Sequence, residues 1–262
     1  MPGLLHVRRD GISTMQTNWP IFVLTLAGDE ARRQPLLDRL AENGLQWRLV
    51  YGVDGRRGLP PEYLPMIDRD VAPDRLKRPM TDSEFACALS HRRIYESIMA
   101  EGLDGALVLE DDAILTPDFP DFIRAGHHLT DTLALLYHYS GRALPWQRRK
   151  AGRWLMYRPT RRASGCTGYT LSRNMAHELL QAMTPVSFVS DWPVDLYDSR
   201  AWLVAPRVVH HAPPGQGLSH LAQERTVAEM QRPCEKRNPA RFLKASYYRG
   251  LVRRRLARRV DS

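Results

Sequence analysis

The chain has 262 residues, 43% hydrophobic and 26% charged, which excludes a disordered chain, a collagen-like repeat and a disulfide scaffold. Mean hydropathy is −0.42, and no apolar run approaches the ~20 residues that a membrane-spanning helix needs. The formal net charge of +9 sits entirely in residues 231–262, where 11 Arg and Lys face two acids; the other 27 basic and 27 acidic residues cancel.

Residues 1–19 lack the apolar segment of a secretory signal and read as an extension. Ile21–Leu26 is a short apolar run and the expected first strand. A helical pattern with Leu36, Leu37 and Leu40 on one face follows, stopped by Asn43-Gly44. Gln46–Val50 completes a strand–helix–strand unit, the opening of an α/β fold. Residues 56–80 are rich in Pro, Arg and Asp and read as a functional loop. Thr81-Asp-Ser-Glu84 is a capping box, opening a helix that Gly102 is placed to end. Ala106–Leu109 is apolar without alternation, as a strand covered on both faces should be, and it runs straight into Glu110-Asp111-Asp112. Leu133–Tyr137, Trp154–Tyr157 and Gly168–Leu171 read as further strands, and Asn174–Met183 as a helix starting near Ser172 or Arg173. A last strand is expected over Trp202–Val209, bent or at an edge because of Pro206. Residues 20–225 thus form the body, and 226–262 a basic tail.

The acids after the buried strand are the strongest chemical signal. Side chains alternate along a strand, so Glu110 and Asp112 are expected on one side and Asp111 on the other. Ligands of open α/β sheets bind beyond the carboxyl ends of the strands. Three carboxylates there repel one another unless a cation or hydrogen-bond donors compensate them, and a divalent metal on a substrate diphosphate fits. Arg32 and Arg33, just past the first strand, suit phosphate. Ser190-Asp-Trp-Pro-Val-Asp195 places two acids four apart beside Trp192, offering a base and a sugar-stacking ring; a helix N-cap at Ser190 or Asp191 reads the same residues structurally. Cys87, Cys166 and Cys234 are far apart without a CxxC pair, which reads as reduced thiols in a cytosolic compartment, not zinc.

Thr81-Asp-Ser-Glu-Phe-Ala-Cys-Ala-Leu-Ser-His91, followed by Ala106-Leu-Val-Leu-Glu-Asp-Asp-Ala113, resembles the family 25 glycosyltransferases. Val23–Leu26 with Arg32-Arg33, Val53-Asp54-Gly55, Ser164–Ser172 and Asp191–Asp195 are similar to further segments of that family, over about residues 20–220. The resemblance implies a GT-A-type nucleotide-diphospho-sugar fold with a mostly parallel central sheet flanked by helices. It implies inverting transfer of a hexose, chiefly galactose, from a UDP-hexose donor to a saccharide or glycolipid acceptor in lipopolysaccharide or lipooligosaccharide assembly. Carried over residue by residue, Asp112 binds Mn²⁺ or Mg²⁺ on the diphosphate. Glu110 and Asp111 accompany it against the donor, with Thr25, Leu26, Arg32, Arg33, Asp54, Gly55 and His91. A late histidine completes the metal shell; His210 is the first choice, with His211 and His220 as alternatives. Asp191 is the first candidate for the base that deprotonates the acceptor, Asp195 the second.

Two other classes compete: a nucleic-acid-binding protein using the tail, and a metal-dependent phosphoesterase using the acids. The body carries no zinc finger, RNP motif or helix-turn-helix pattern, so no nucleic acid partner is expected. In the tail, Leu243, Tyr247 and Leu251, and again Val252, Leu256 and Val260, recur every four residues among arginines. That pattern predicts a helix lying on an anionic membrane surface, with the protein peripheral at the inner face of the cytoplasmic membrane.

Overall fold

The computed structural model describes residues 19–211, 248, 252–253 and 255–260. Residues 1–18 of the N-terminal extension, His220, Cys234 and most of the expected tail helix lie outside the described residues.

The first strand, β1 (Ile21–Thr25), leads into α1 (Glu30–Glu42) and β2 (Trp47–Tyr51). Residues 56–80 contain a 3-10 turn at Pro61–Met66 and a short α2 (Ala72–Leu76). α3 (Asp82–Ala100) starts on the expected capping box: Thr81 Oγ1 accepts from the Glu84 amide, and Glu84 accepts from the Thr81 amide. The Glu84 carboxylate also takes both arms of buried Arg78, at 2.6 and 2.7 Å. β3 (Gly105–Glu110), β4 (Ala113–Leu115) and α4 (Phe119–Arg124) follow. Next come β5 (Leu133–Leu135), β6 (Arg142–Ala151), β7 (Trp154–Pro159) and β8 (Gly168–Ser172). α5 (Arg173–Ala182) is capped by Ser172, and β9 (Trp202–Ala205), β10 (Val209–His211) and β11 (Arg258–Arg259) complete the described elements.

Nine strands form one sheet in the order β11-β6-β7-β9-β5-β8-β3-β1-β2, while β10 pairs with β4. The sheet is mixed, where a mostly parallel one was expected. β2, β1 and β3 run parallel, as do β5 and β9; the remaining pairings are antiparallel. The strand expected over 202–209 divides at Pro206, which cannot donate to a ladder. β9 stays inside the large sheet, and β10 leaves it for β4.

Both faces of the sheet are covered, and β3 shows why it reads as unbroken apolar sequence. Ala106 and Val108 belong to one core, with Phe85, Leu89 and Ile98 of α3 and Leu179 of α5. Leu107 and Leu109 belong to the other, with Leu36 and Leu40 of α1 and Phe119 and Phe122 of α4. Each fully buried large apolar side chain of this kind contributes about 1.5–3 kcal/mol.

The tail's last described residues dock on the body. β11 pairs antiparallel with β6, the Val260 amide donates to Gly141 O at 3.0 Å, and Val260 joins the core at 8% exposure. Val260 therefore is not part of a lipid-facing stripe; Val252 and Leu256 remain exposed. A backbone hydrogen-bonded to a sheet edge fixes Val260 inward, which a free amphipathic helix would not do.

Candidate active site

β1, β2 and β3 run in the same direction, so the loops leaving Thr25, Tyr51 and Glu110 meet at one edge of the sheet. They line a cleft of 350 Å³, closed on its other sides by α3, the 164–167 loop, Ser190-Asp191, Tyr137, Tyr139 and His211. Of the expected residues, Thr25, Leu26, Arg32, Gly55, Glu110, Asp111, Asp112 and Asp191 line it.

The carboxylates do not divide as strand alternation predicts. β3 ends at Glu110, and Asp111-Asp112 lie in the turn beyond, where alternation no longer holds. Asp111 and Asp112 share Arg32: its Nε lies 2.8 Å from Asp111 Oδ1 and its Nη2 2.5 Å from Asp112 Oδ2. Thr25 Oγ1 donates to Asp111 Oδ2 at 2.8 Å, so both oxygens of Asp111 are engaged. Burial raises the Asp111 carboxyl, outweighing Arg32 and Thr25. Asp112 Oδ2 also faces His211 Nε2 at 3.2 Å, whereas its buried Oδ1 has no hydrogen-bond partner among the described residues.

The histidine beside the acids is thus His211, not the expected His210. The antiparallel register of β10 on β4 sets His211 opposite Ala113 and His210 opposite Ile114, and successive side chains point to opposite faces. His210 is exposed and does not line the cleft, whereas His211 does and packs on the Tyr137 ring at 6.0 Å.

Glu110 turns to the floor of the cleft. Its Oε1 lies 3.1 Å from His91 Nε2 and accepts from Cys166 Sγ at 3.0 Å, and its Oε2 accepts from Thr167 Oγ1 at 3.2 Å. Burial alone would raise this carboxyl, but the hydrogen bond and charge of His91 outweigh it and hold the group at about 2. His91 is fully buried. Burial pushes it down, yet hydrogen bonds with Cys87 and Glu110 lift it to about 10. A hydrogen bond with Cys166 pulls the Cys87 thiol down to about 5, with His91 acting in the same sense. Glu110, which lines the cleft, and His91, which does not, were both expected against the donor and meet in this network.

Other expectations are also corrected. Arg33 is buried on α1, paired with Glu30 at 2.9 Å and set over the Tyr51 ring, away from the cleft. Asp54 is exposed and holds Arg56, whose guanidinium also reaches Asp29 at 3.0 Å. Arg56 and Asp29 line the cleft; Asp54 positions them from outside. Gly55 is required by close approach: a Cβ there would lie 2.7 Å from Ala86 Cβ on α3. Asp195 caps a turn, accepting from the Tyr197 and Asp198 amides at 2.8 and 3.1 Å, and does not line the cleft. Trp192 is no sugar platform, being fully buried edge-on against Tyr169 at 5.1 Å. No helix starts at Ser190 or Asp191; Asp191 Oδ1 accepts from the Gly165 amide at 2.9 Å. Tyr139, 62% exposed, is the aromatic ring at the mouth.

A family model described as "Glycosyltransferase family 25 (LPS biosynthesis protein)" matches residues 18–197. The chain belongs to glycosyltransferase family 25. This family 25 chain is 27% identical over 223 residues to a "Glycosyltransferase 25 family member" of Aedes aegypti, covering 79% of the chain and 34% of that relative. It is 35% identical over 103 residues to a "Probable inactive glycosyltransferase 25 family member 3" of Rattus norvegicus, covering 38% of the chain and 18% of the relative. It is 30% identical over 96 residues to "Procollagen galactosyltransferase 1" of Danio rerio, covering 35% and 16%. The family 25 chain therefore spans at most about a third of the length of these relatives.

The sequence signals for Arg56 and His211 were adjacency to Asp54-Gly55 and to His210. The sequence signal for Cys87 is its spacing: Cys87 and His91 are four apart, one helical turn on a shared face of α3, whereas Cys166 has no local signal.

Proposed function

We propose that this chain transfers a hexose, most simply galactose, from a UDP-sugar to a saccharide or glycolipid hydroxyl. The observation that carries the reading is Asp112 Oδ1, a buried oxygen of a cleft-lining carboxylate with no hydrogen-bond partner among the described residues, while the other oxygen of Asp112 lies beside His211. A free oxygen and an imidazole suit a divalent cation such as Mn²⁺ or Mg²⁺, so Asp112 and His211 would hold it. When bound, that ion supplies Lewis-acid stabilisation of the departing diphosphate.

The chain's own residues supply the rest. Arg32, locked by Asp111 and Asp112, and Arg56, locked by Asp29 and Asp54, present fixed cations for the diphosphate. The glycine-pinned 52–55 loop forms the wall on the β2 side, suited to the uridine. Asp191, across the cleft and oriented by the Gly165 amide, takes the proton from the acceptor hydroxyl as the bond to the sugar forms. Tyr139 offers its face to the acceptor.

A screen of UDP-sugars with Mn²⁺, reading donor hydrolysis and then transfer, tests this. UDP-galactose should be consumed, and UDP with Mn²⁺ should raise the unfolding temperature. Asp191→Asn should keep that UDP shift while turnover falls by roughly 10²–10⁴. Phosphodiester cleavage without an acceptor, or no UDP effect, would refute the reading.

Membrane placement is a separate part of the proposal. Tyr248, Val252 and Leu256 are exposed apolar groups on a segment rich in arginine. They would bind an anionic bilayer beside a lipid-linked acceptor. Val252→Glu with Leu256→Glu should abolish binding to anionic vesicles and spare transfer to a soluble acceptor; unchanged vesicle binding would count against it.

A further inference from the structure

At the cleft floor, four side chains from three parts of the chain bring metal-ligand atoms together: Cys87 and His91 of α3, Glu110 ending β3, and Cys166 before β8; all but His91 line the cleft. One ligand atom from each lies within 4.8 Å of all the others. We propose that Cys87, His91, Glu110 and Cys166 form a four-coordinate Zn²⁺ site, distinct from the oxygen-rich site at Asp112.

The spacing is close to what the ion requires. Zinc bonds of about 2.0–2.3 Å in a tetrahedron separate the ligand atoms by about 3.3–3.8 Å. His91 Nε2 and Cys166 Sγ lie 3.1 and 3.0 Å from Glu110 Oε1, so those two contacts open by a few tenths of an ångström to admit the ion, while the remaining ligand atoms, all within 4.8 Å, close by up to about 1 Å.

Proton placement points the same way. The Tyr169 hydroxyl donates to Tyr95 and lies 2.8 Å from His91 Nδ1, so it accepts the Nδ1 proton. That leaves Nε2 turned on a carboxylate oxygen. A zinc-ligating histidine usually has its far nitrogen fixed by a carboxylate, carbonyl or water, and the Tyr169 hydroxyl fills that place here.

The donor set selects the metal. Two sulfurs and an imidazole favour Zn²⁺ over Mg²⁺ or Mn²⁺, which prefer oxygen. Four protein ligands leave no open position, so the ion would tie α3 to the end of β3 and the 164–167 loop, not enter the chemistry. Binding exchanges the ring and thiol protons for the ion and releases them to solvent.

The test uses the full chain, reduced, stripped with a chelator, and titrated with Co²⁺ and then Zn²⁺. One Co²⁺ should bind with intense tetrahedral ligand-field bands and a thiolate-to-cobalt charge-transfer band, and Zn²⁺ should bleach both. Cys87→Ser and Cys166→Ser should each weaken binding by at least the roughly 10–100-fold that loss of an outer partner costs. Asp112→Asn should leave the spectrum intact. Absence of the charge-transfer band at one equivalent of Co²⁺, or its persistence in both cysteine variants, would overturn the proposal. Should the variants not fold, thiol labelling of the parent chain decides. Zn²⁺ should protect two of its three cysteines, and equal labelling with and without Zn²⁺ would overturn the site.

Discussion

The half of the sheet formed by β2, β1 and β3 gathers its charges inward, while the wing formed by β9, β7 and β6 spreads them over its surface. In the first half, Arg32 sits between two carboxylates, Arg78 lies buried on Glu84, and His91 is buried on Glu110. In the wing, Arg149 stacks over Trp202 at 4.5 Å, and Arg153 over Trp154 at 4.6 Å. The buried histidine beside the wing, His138, has the Val204 carbonyl as its one hydrogen-bond partner among the described residues, and burial pushes it down to about 4. A buried cation survives where the fold supplies an anion; without one the group is held neutral or stays at the surface.

Four substitutions probe that contrast. The largest effect is expected at Arg78→Ala, which removes the guanidinium from the buried Glu84 carboxylate at the start of α3. Removing one partner of such a pair costs about 3–5 kcal/mol, read as a drop in unfolding free energy in urea. A loss below about 1 kcal/mol would mean that the pair does not hold the helix.

Asp112→Asn should lower transfer by on the order of 10²–10³-fold under limiting Mn²⁺, with circular dichroism unchanged. Parental turnover would remove Asp112 from the site.

His138 is expected to act through pH. Its folded value of about 4 lies below the ordinary 6.5, so the unfolded chain binds more protons between those values. Stability is therefore lost as pH falls from 6.5 towards 4, by up to about 1.4 kcal/mol per pH unit for one proton. His138→Gln should flatten that acid limb, leaving the part due to His128, which burial lowers in the same way. Superimposable limbs would contradict the assignment.

The smallest effect belongs to Arg149→Ala, where a stacked surface cation contributes about 0.5–1 kcal/mol. Unfolding should shift slightly and transfer should not change; a large loss of transfer would show that the wing takes part in the site.

Local signals carried much of the first half. The capping box at Thr81, the apolar run of β3 and the Asn43-Gly44 stop each depend on neighbours within a few residues, and each appears where the sequence places it. β6 was not legible, because a strand with Arg148, Arg149 and Lys150 exposed has no apolar pattern, and its pairing with β7 supplies the order. α4 and β4 are too short to show a period.

The amino-acid sequence by itself determined the α/β class, the parallel opening unit, and the concentration of acids at the end of β3. Those follow from hydrophobic period and capping, which act along the chain. The tertiary structure alone decided that Glu110 turns inward while Asp111 and Asp112 meet Arg32. It also decided that His211 faces the acids in place of His210, that Trp192 is core, and that Cys166 comes to rest beside Cys87 and His91. The reason is geometric: where a strand stops and which register it takes sets the direction of every side chain beyond it.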